Sequence, residues 1–194
     1  TIEYSDGVRT ERSTLTTHDP RAISEWLRSM VAHGTTHAAM EVSSHALDQS
    51  RIAALQLDAA VVTNITQDHF DYHGDFNSYR ATKRRILERL KAGAPAIINV
   101  DDAGSRSLLE DSVGRVVTYG LVEQADVSGT ILEETLAGSR FRLTMGAETA
   151  EVTTSLIGRH NVSNCLAAAA VAQHCGATLT QIVQGIGSLT CVPG

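Results

Sequence analysis

DAAVVTNITQDHFDYHGDFNSYRATKRRILERLKAGAPAIINV (58–100) decides the fold. It opens on an apolar run rich in β-branched residues (58–65) and closes on another, APAIINV (94–100). Between them NSYRATKRRILERLKAG keeps helical spacing up to Gly93. Strand, helix, strand, with each strand apolar throughout, points to parallel pairing, because helices cover both faces of a parallel sheet.

The rhythm extends in both directions. Upstream, HAAMEV (37–42) reads as another buried strand and HALDQSRIAAL (45–55) as a helix; downstream, SRSLLED (105–111) reads as a short helix and RVVTYG (115–120) as a strand. Near the start, Ser5-Asp6-Gly7 sits at the turn of a hairpin. Asp19-Pro20 then starts a helix whose core face carries Ile23, Trp26, Leu27, Met30 and Val31, closed by Gly34. From about residue 126 to 158 the pattern becomes strand–turn–strand, read as a small antiparallel subsheet appended to the parallel one. NVSNCLAAAAVAQH (161–174), closed by Gly176, and TLTQIVQGIGSL (178–189) are helices. The expected fold is α/β, a doubly wound, mainly parallel sheet with the appended subsheet, and residues 1–194 form one domain.

Composition narrows the function. A net charge of −6, with no basic run longer than Lys83-Arg84-Arg85, argues against nucleic acid as a partner. No apolar run approaches the roughly 18 residues of a membrane span, so no membrane is expected. Cys165, Cys175 and Cys191 lack metal-ligand spacing and read as reduced core thiols of a cytoplasmic protein. The absence of an initiator methionine and the turn-like ending CVPG suggest a piece of a longer protein.

Chemistry-bearing residues concentrate in 41–83. The chain has 16 Lys and Arg, of which only Lys83 and Lys91 are lysine. Ligands of open α/β sheets bind beyond the carboxyl ends of strands, where Glu41 and the segment 64–69 are expected. Glu41 and His69 suit a divalent cation; the alternative is Glu41 as an ion-pair partner and His69 as a loop or cap residue. Lys83, held near a low-dielectric site, could react as free amine with carbon dioxide to give a carbamate, a carboxylate-like ligand; the alternative is an exposed helix lysine. Thr16 and Thr17 could donate to an anion or serve as turn residues. Arg51 could clamp a carboxylate or lie free at the surface, and Ser43 and Gln49 flank it. Asp68, Asp71 and His73 read as loop-shaping. Ser44-His45 is too close in sequence for a nucleophile–base pair. No G-x-x-x-x-G-K-[ST] loop is present.

The motifs LTTHDP, MEVSSHALDQSR, TNITQDHFDYHG with SYRATK, INVDD, and GRHNVSNCLAAAAVA followed by LTCVPG occur in this order over almost the whole chain. Together they resemble the central domain of the Mur ligases, in the branch that adds the third stem-peptide amino acid to UDP-N-acetylmuramoyl-L-alanyl-D-glutamate. The resemblance implies magnesium held by Glu41, His69 and a carbamylated Lys83, with Lys83 and His69 catalytic. It implies contacts from Thr16, Thr17, Ser43, Gln49 and Arg51 to the dipeptide end of the UDP-sugar, and from His160, Asn161 and Asn164 to the nucleotide. It further implies ATP as co-substrate, an amino acid (diaminopimelate or lysine) as acceptor, and amino- and carboxyl-terminal domains of the same chain as partners. The P-loop segment and both outer domains fall outside the 194 residues, so the piece alone is expected to be inactive. His18 and Leu15 depart from the family's usual residues. Competing readings are a folylpolyglutamate- or cyanophycin-type ligase, a metal-dependent hydrolase built on His69, His73 and Lys83, and a non-catalytic binding domain.

Overall fold

Asp19 sets the first helix of the chain. Its carboxylate accepts the amides of Arg21 (3.0 Å) and Ala22 (3.1 Å), while Pro20 takes the first helical position, where its missing N–H costs nothing. The computed structural model describes residues 2–66, 70–112 and 114–192, in two compact units.

The first unit comprises residues 1–55 and 69–89. A hairpin, β1 (Glu3–Ser5) and β2 (Thr10–Arg12), precedes α1 (Pro20–Ala32). Tyr4 stacks on Trp26 with ring centroids 5.9 Å apart, and the Arg9 guanidinium lies 4.4 Å from the Trp26 ring centroid. At the hairpin turn the buried Asp6 accepts hydrogen bonds from Ser29 Oγ (2.6 Å), Arg9 N (2.7 Å) and Val8 N (3.0 Å), and meets His33 Nδ1 at 3.3 Å. The Ser29 hydroxyl and these amides hold its carboxyl far below the usual carboxylate range. Further along are α2 (Ser44–Asp48), α3 (Phe70–His73) and α4 (Phe76–Arg84). Ser43 caps α2, and Asp75 caps α4 by accepting from Ser78 N at 2.8 Å. Ile23, Leu47 and Ile52 form this unit's core.

The second unit comprises residues 56–68 and 90–192. Its sheet runs β3 (Ala60–Val62), β4 (Ala96–Asn99), β5 (Val116–Gly120), β6 (Val127–Thr135), β7 (Gly138–Met145) and β8 (Glu148–Thr154), in that spatial order. β3 through β6 are parallel; β6, β7 and β8 are antiparallel. A short helix, α5 (Ala103–Arg106), follows β4, and α6 (Arg159–His174) and α7 (Leu179–Ser188) close the unit. Alternate residues of β7 (Phe141, Leu143, Met145) and the alanine-rich face of α6 (Leu166, Ala169, Ala170) form the core around Ile97 and Tyr119. α5 approaches the chain after β3 so closely that a Cβ on Gly104 would lie 2.0 Å from the Ile65 carbonyl oxygen, so only glycine fits.

Several expectations are corrected. Residues 37–42 form no strand and are mostly exposed. Strand formation needs a partner ladder, and among the described residues no strand pairs with this run; at its end the Thr17 hydroxyl donates to the Glu41 carbonyl (3.0 Å) and accepts from Ser43 N (3.0 Å). Helix 45–55 stops at Asp48, because Ser50 adopts a left-handed conformation (φ 56°) and Arg51 N returns to the Ala46 carbonyl at 2.8 Å. Helix 77–93 ends at Arg84. Beyond it Arg85 and Arg89 turn back to Ser50 Oγ (3.2 Å) and the Ala53 carbonyl (2.9 Å), side-chain bonds that override helix propensity. Val31 is exposed. Of the three cysteines only Cys165 is buried, which pushes its thiol up to about 11; Cys175 and Cys191 are exposed.

The antiparallel subsheet is appended to the parallel strands as expected, within one six-stranded sheet. It continues the parallel sheet through β6. Parallel neighbours usually need a crossover of about a dozen residues or more, yet only 121–126 join β5 to β6. This works because the two strands overlap by only two pairs, Tyr119↔Val127 and Gly120↔Ser128. Asp101 fixes the connection by accepting the amides of Leu121, Val122 and Glu123, and Asp126 accepts from Thr118 N at 2.8 Å.

Candidate substrate and metal site

In the first unit, four of the expected substrate contacts share one hydrogen-bonded network. Thr17, 1% exposed, bridges the Glu41 carbonyl and the Ser43 amide. Because Asp19 supplies the cap of α1, the Thr17 hydroxyl is left for this bridge. Ser43 Oγ accepts from Ala46 N at 3.2 Å as the cap of α2. Arg51 Nη1 donates to the Thr17 carbonyl at 2.7 Å, while its Nε and Nη2 fork onto Gln49 Oε1 at 3.0 and 2.6 Å. Both donors of the fork that could clamp a carboxylate thus converge on one neutral amide oxygen, whereas a carboxylate would offer an oxygen to each. Thr16, half-buried, adjoins Thr17 in the chain.

The Glu41 residue is exposed, and its carbonyl is the one tied to Thr17. Lys83 is half-buried on α4, with Nζ 5.5 Å from the centroid of the buried Tyr79 ring. His69 lies outside the described residues. Among the described residues no group of three His, Cys, Asp or Glu is arranged to hold a metal. The donors Glu41 and Lys83 still fit magnesium in kind. Glu41 supplies a hard carboxylate oxygen, and a carbamate on Lys83 would supply further oxygens of the same class.

Contacts that the sequence did not signal surround α2. His73, read as a loop-shaping residue, has Nε2 3.0 Å from Ser44 Oγ. Tyr72 Oη donates to Asp48 Oδ2 at 2.8 Å. Ser44 and His73 are 29 positions apart, so no local pattern could have joined them.

In the second unit, His160, Asn161 and Asn164 lie in the first two turns of α6. Gly158 (φ 94°) begins the helix, and the His160 ring packs where a Cβ would be. Asn161 Nδ2 donates to the Ile157 carbonyl at 2.8 Å. Asn161 and Asn164 border an apolar hollow of about 320 Å³ between α6 and α7, lined also by Ala168, Ala172, Ile186 and Leu189. The Asn164 side chain is exposed at its rim. Two amide side chains beside an apolar wall suit a flat heteroaromatic ring.

Comparison with known proteins places this geometry in context. Residues 1–172 match the model of the Mur ligase middle domain. A UDP-N-acetylmuramoyl-L-alanyl-D-glutamate–2,6-diaminopimelate ligase of Geobacillus kaustophilus is 36% identical over 200 residues, covering 100% of this chain and 41% of that protein. A UDP-N-acetylmuramyl-tripeptide synthetase of Deinococcus radiodurans is 35% identical over 193 residues, covering 99% and 39%. A solved structure of a UDP-N-acetylmuramoyl-L-alanyl-D-glutamate–2,6-diaminopimelate ligase superposes with a TM-score of 0.84 at 31% identity, covering 95% of this chain and 39% of that one. The chain thus spans about two-fifths of the length of these relatives.

Proposed function

The chain belongs to the Mur ligase middle-domain family, and from that premise we propose that it is the central domain of a larger ATP-dependent ligase. That ligase joins a third amino acid, diaminopimelate or lysine, to UDP-MurNAc-L-Ala-D-Glu in peptidoglycan synthesis. The observation that carries this reading is the single network joining Thr17, Ser43, Gln49 and Arg51, the residues expected to face the dipeptide end of that nucleotide. Similarity to diaminopimelate-adding ligases over the whole chain supports the choice of branch.

In the proposed reaction the γ-carboxylate of the D-glutamyl residue attacks the terminal phosphorus of ATP, forming an acyl phosphate and releasing ADP. The amino group of the incoming amino acid then attacks the acyl carbon, phosphate departs, and the ammonium loses a proton to leave an amide. Arg51 and Gln49 orient the peptide carboxylates, Thr16, Thr17 and Ser43 line the same dipeptide end, and Thr17 also anchors the segment that carries Glu41. Glu41, His69 and carbamylated Lys83 would hold magnesium, which neutralises phosphate charge when bound. Asn161 and Asn164, with His160 beside them, would receive the nucleotide base. The outer domains of the same chain would bring the UDP moiety and the acceptor amino acid. Substrates of this kind, a UDP-sugar and ATP, place the enzyme in the cytoplasm.

The intact protein containing this chain provides the test. Arg51→Ala should raise KM for UDP-MurNAc-dipeptide about tenfold or more and leave KM for ATP unchanged, the loss expected for a charged hydrogen-bonding partner. Lys83→Arg keeps the charge of the unmodified lysine but cannot form the anionic carbamate, and should lower kcat by about a hundredfold or more, as loss of a charge-stabilising ligand does. Normal ligation by Lys83→Arg would refute the assigned role of Lys83, and an unchanged KM in Arg51→Ala would refute the substrate contact.

A further inference from the structure

We propose that Tyr72 and His73 of α3 are positioning residues that orient Gln49 and Arg51 toward the nucleotide-linked peptide, an inference resting on the substrate reading above. α3 spans four residues, too short to persist on its own helical propensity, so its contacts must hold it. Two of its side chains reach α2 and the residue that caps its end. His73 Nε2 is 3.0 Å from the hydroxyl of Ser44, which is 3% exposed at the start of α2. Tyr72 Oη donates to Asp48 Oδ2 (2.8 Å) and is reached by Gln49 Nε2 (3.5 Å), while its ring centroid lies 4.2 Å from that of His45.

The hydrogen-bond directions explain why this matters. Arg51 can only donate, so the oxygen of the Gln49 amide must face it. The amide nitrogen then points the other way, toward Tyr72 Oη. That oxygen is the acceptor, because Tyr72 spends its own proton on the Asp48 carboxylate. The result is a directed relay, Arg51 to Gln49 to Tyr72 to Asp48, ending on a negative charge. Without the phenolic oxygen the Gln49 amide keeps its two bonds from Arg51 but loses the second anchor, on its nitrogen side, so the acceptor of the Arg51 fork is held at one end only. His73 holds the other end of the same clip. Its ring also lies 5.2 Å from that of Tyr79, over which Lys83 Nζ sits, so α3 touches the surroundings of both the substrate contacts and Lys83.

The experiment uses the intact ligase. Tyr72→Phe should raise KM for UDP-MurNAc-dipeptide about fivefold, with KM for ATP and the melting temperature unchanged, consistent with loss of one hydrogen bond. Adding Gln49→Ala to Tyr72→Phe should add less than the separate effects predict, because Tyr72 acts through Gln49. His73→Ala should raise the same KM, and His73→Gln, whose amide can reach Ser44, should restore it. An unchanged KM in Tyr72→Phe, full additivity with Gln49→Ala, or equal rises in both KM values with a lowered melting temperature would overturn the proposal. If the wild type does not bind this nucleotide, the substrate reading fails, and the relay is decided by exchange of the Gln49 side-chain amide protons. Faster exchange in Tyr72→Phe upholds the relay; equal exchange overturns it.

Discussion

One hydroxyl, on Thr17, satisfies both the Glu41 carbonyl and the Ser43 amide, and so ties the segment carrying Glu41, a proposed magnesium ligand, to the cap of α2. Thr17→Val keeps the shape but leaves both backbone groups short of a partner, and should cost about 1–3 kcal/mol in chemical denaturation; Thr17→Ser should cost little. Asp6 makes a second residue-scale prediction. Its folded pKa is depressed, led by the Ser29 hydroxyl, so its contribution is present above the unfolded carboxylate value and lost as pH falls through the folded one. Stability of the first unit should therefore decline in acid, and Asp6→Asn should flatten that decline in a pH series of melting temperatures. Gly104→Ala should destabilise the second unit by about 2–3 kcal/mol, since a backbone carbonyl cannot yield as a flexible side chain would. The residue types alone left Thr17 and Arg51 open between ligand contacts and plain turn or surface residues, and only the family resemblance pointed to the roles proposed for them. Their bonds span 24 to 34 positions, and no spacing rule reaches that far.

At the scale of elements, local signals were reliable where the chemistry is local. The Asp19-Pro20 start of α1, the hairpin at Asp6-Gly7, and the apolar runs of β3, β4 and β5 all stand where the sequence pointed. Residues 37–42 failed because an apolar run becomes a strand only when a neighbouring strand takes its amides. The join between the parallel and antiparallel halves was hidden for a related reason. A six-residue link between parallel strands contradicts the usual crossover rule, and it holds because Asp101 gathers three amides of that link. Asp101→Ala should lower the stability of the second unit by about 1–2 kcal/mol in urea unfolding, the value of charged hydrogen bonds at an exposed loop. Equal stability of the variant would show that β6 is held by β7 alone.

For the whole molecule, family membership and a mainly parallel α/β sheet agree with the first reading of the sequence. Among the described residues no helix is long and apolar enough to cross a membrane. The residues for substrate, metal and nucleotide are proposals grounded in two separate clusters, one in each unit. The chain covers about two-fifths of the length of its relatives, and the proposed activity is one to be tested on the intact protein. The decisive measurement is mass spectrometry of that protein's products after incubation with ATP, magnesium, UDP-MurNAc-L-Ala-D-Glu and either diaminopimelate or lysine. The account predicts a UDP-linked tripeptide with one ADP and one phosphate released per amide formed. Hydrolysis of ATP or of the nucleotide, with no tripeptide from either amino acid, would contradict it.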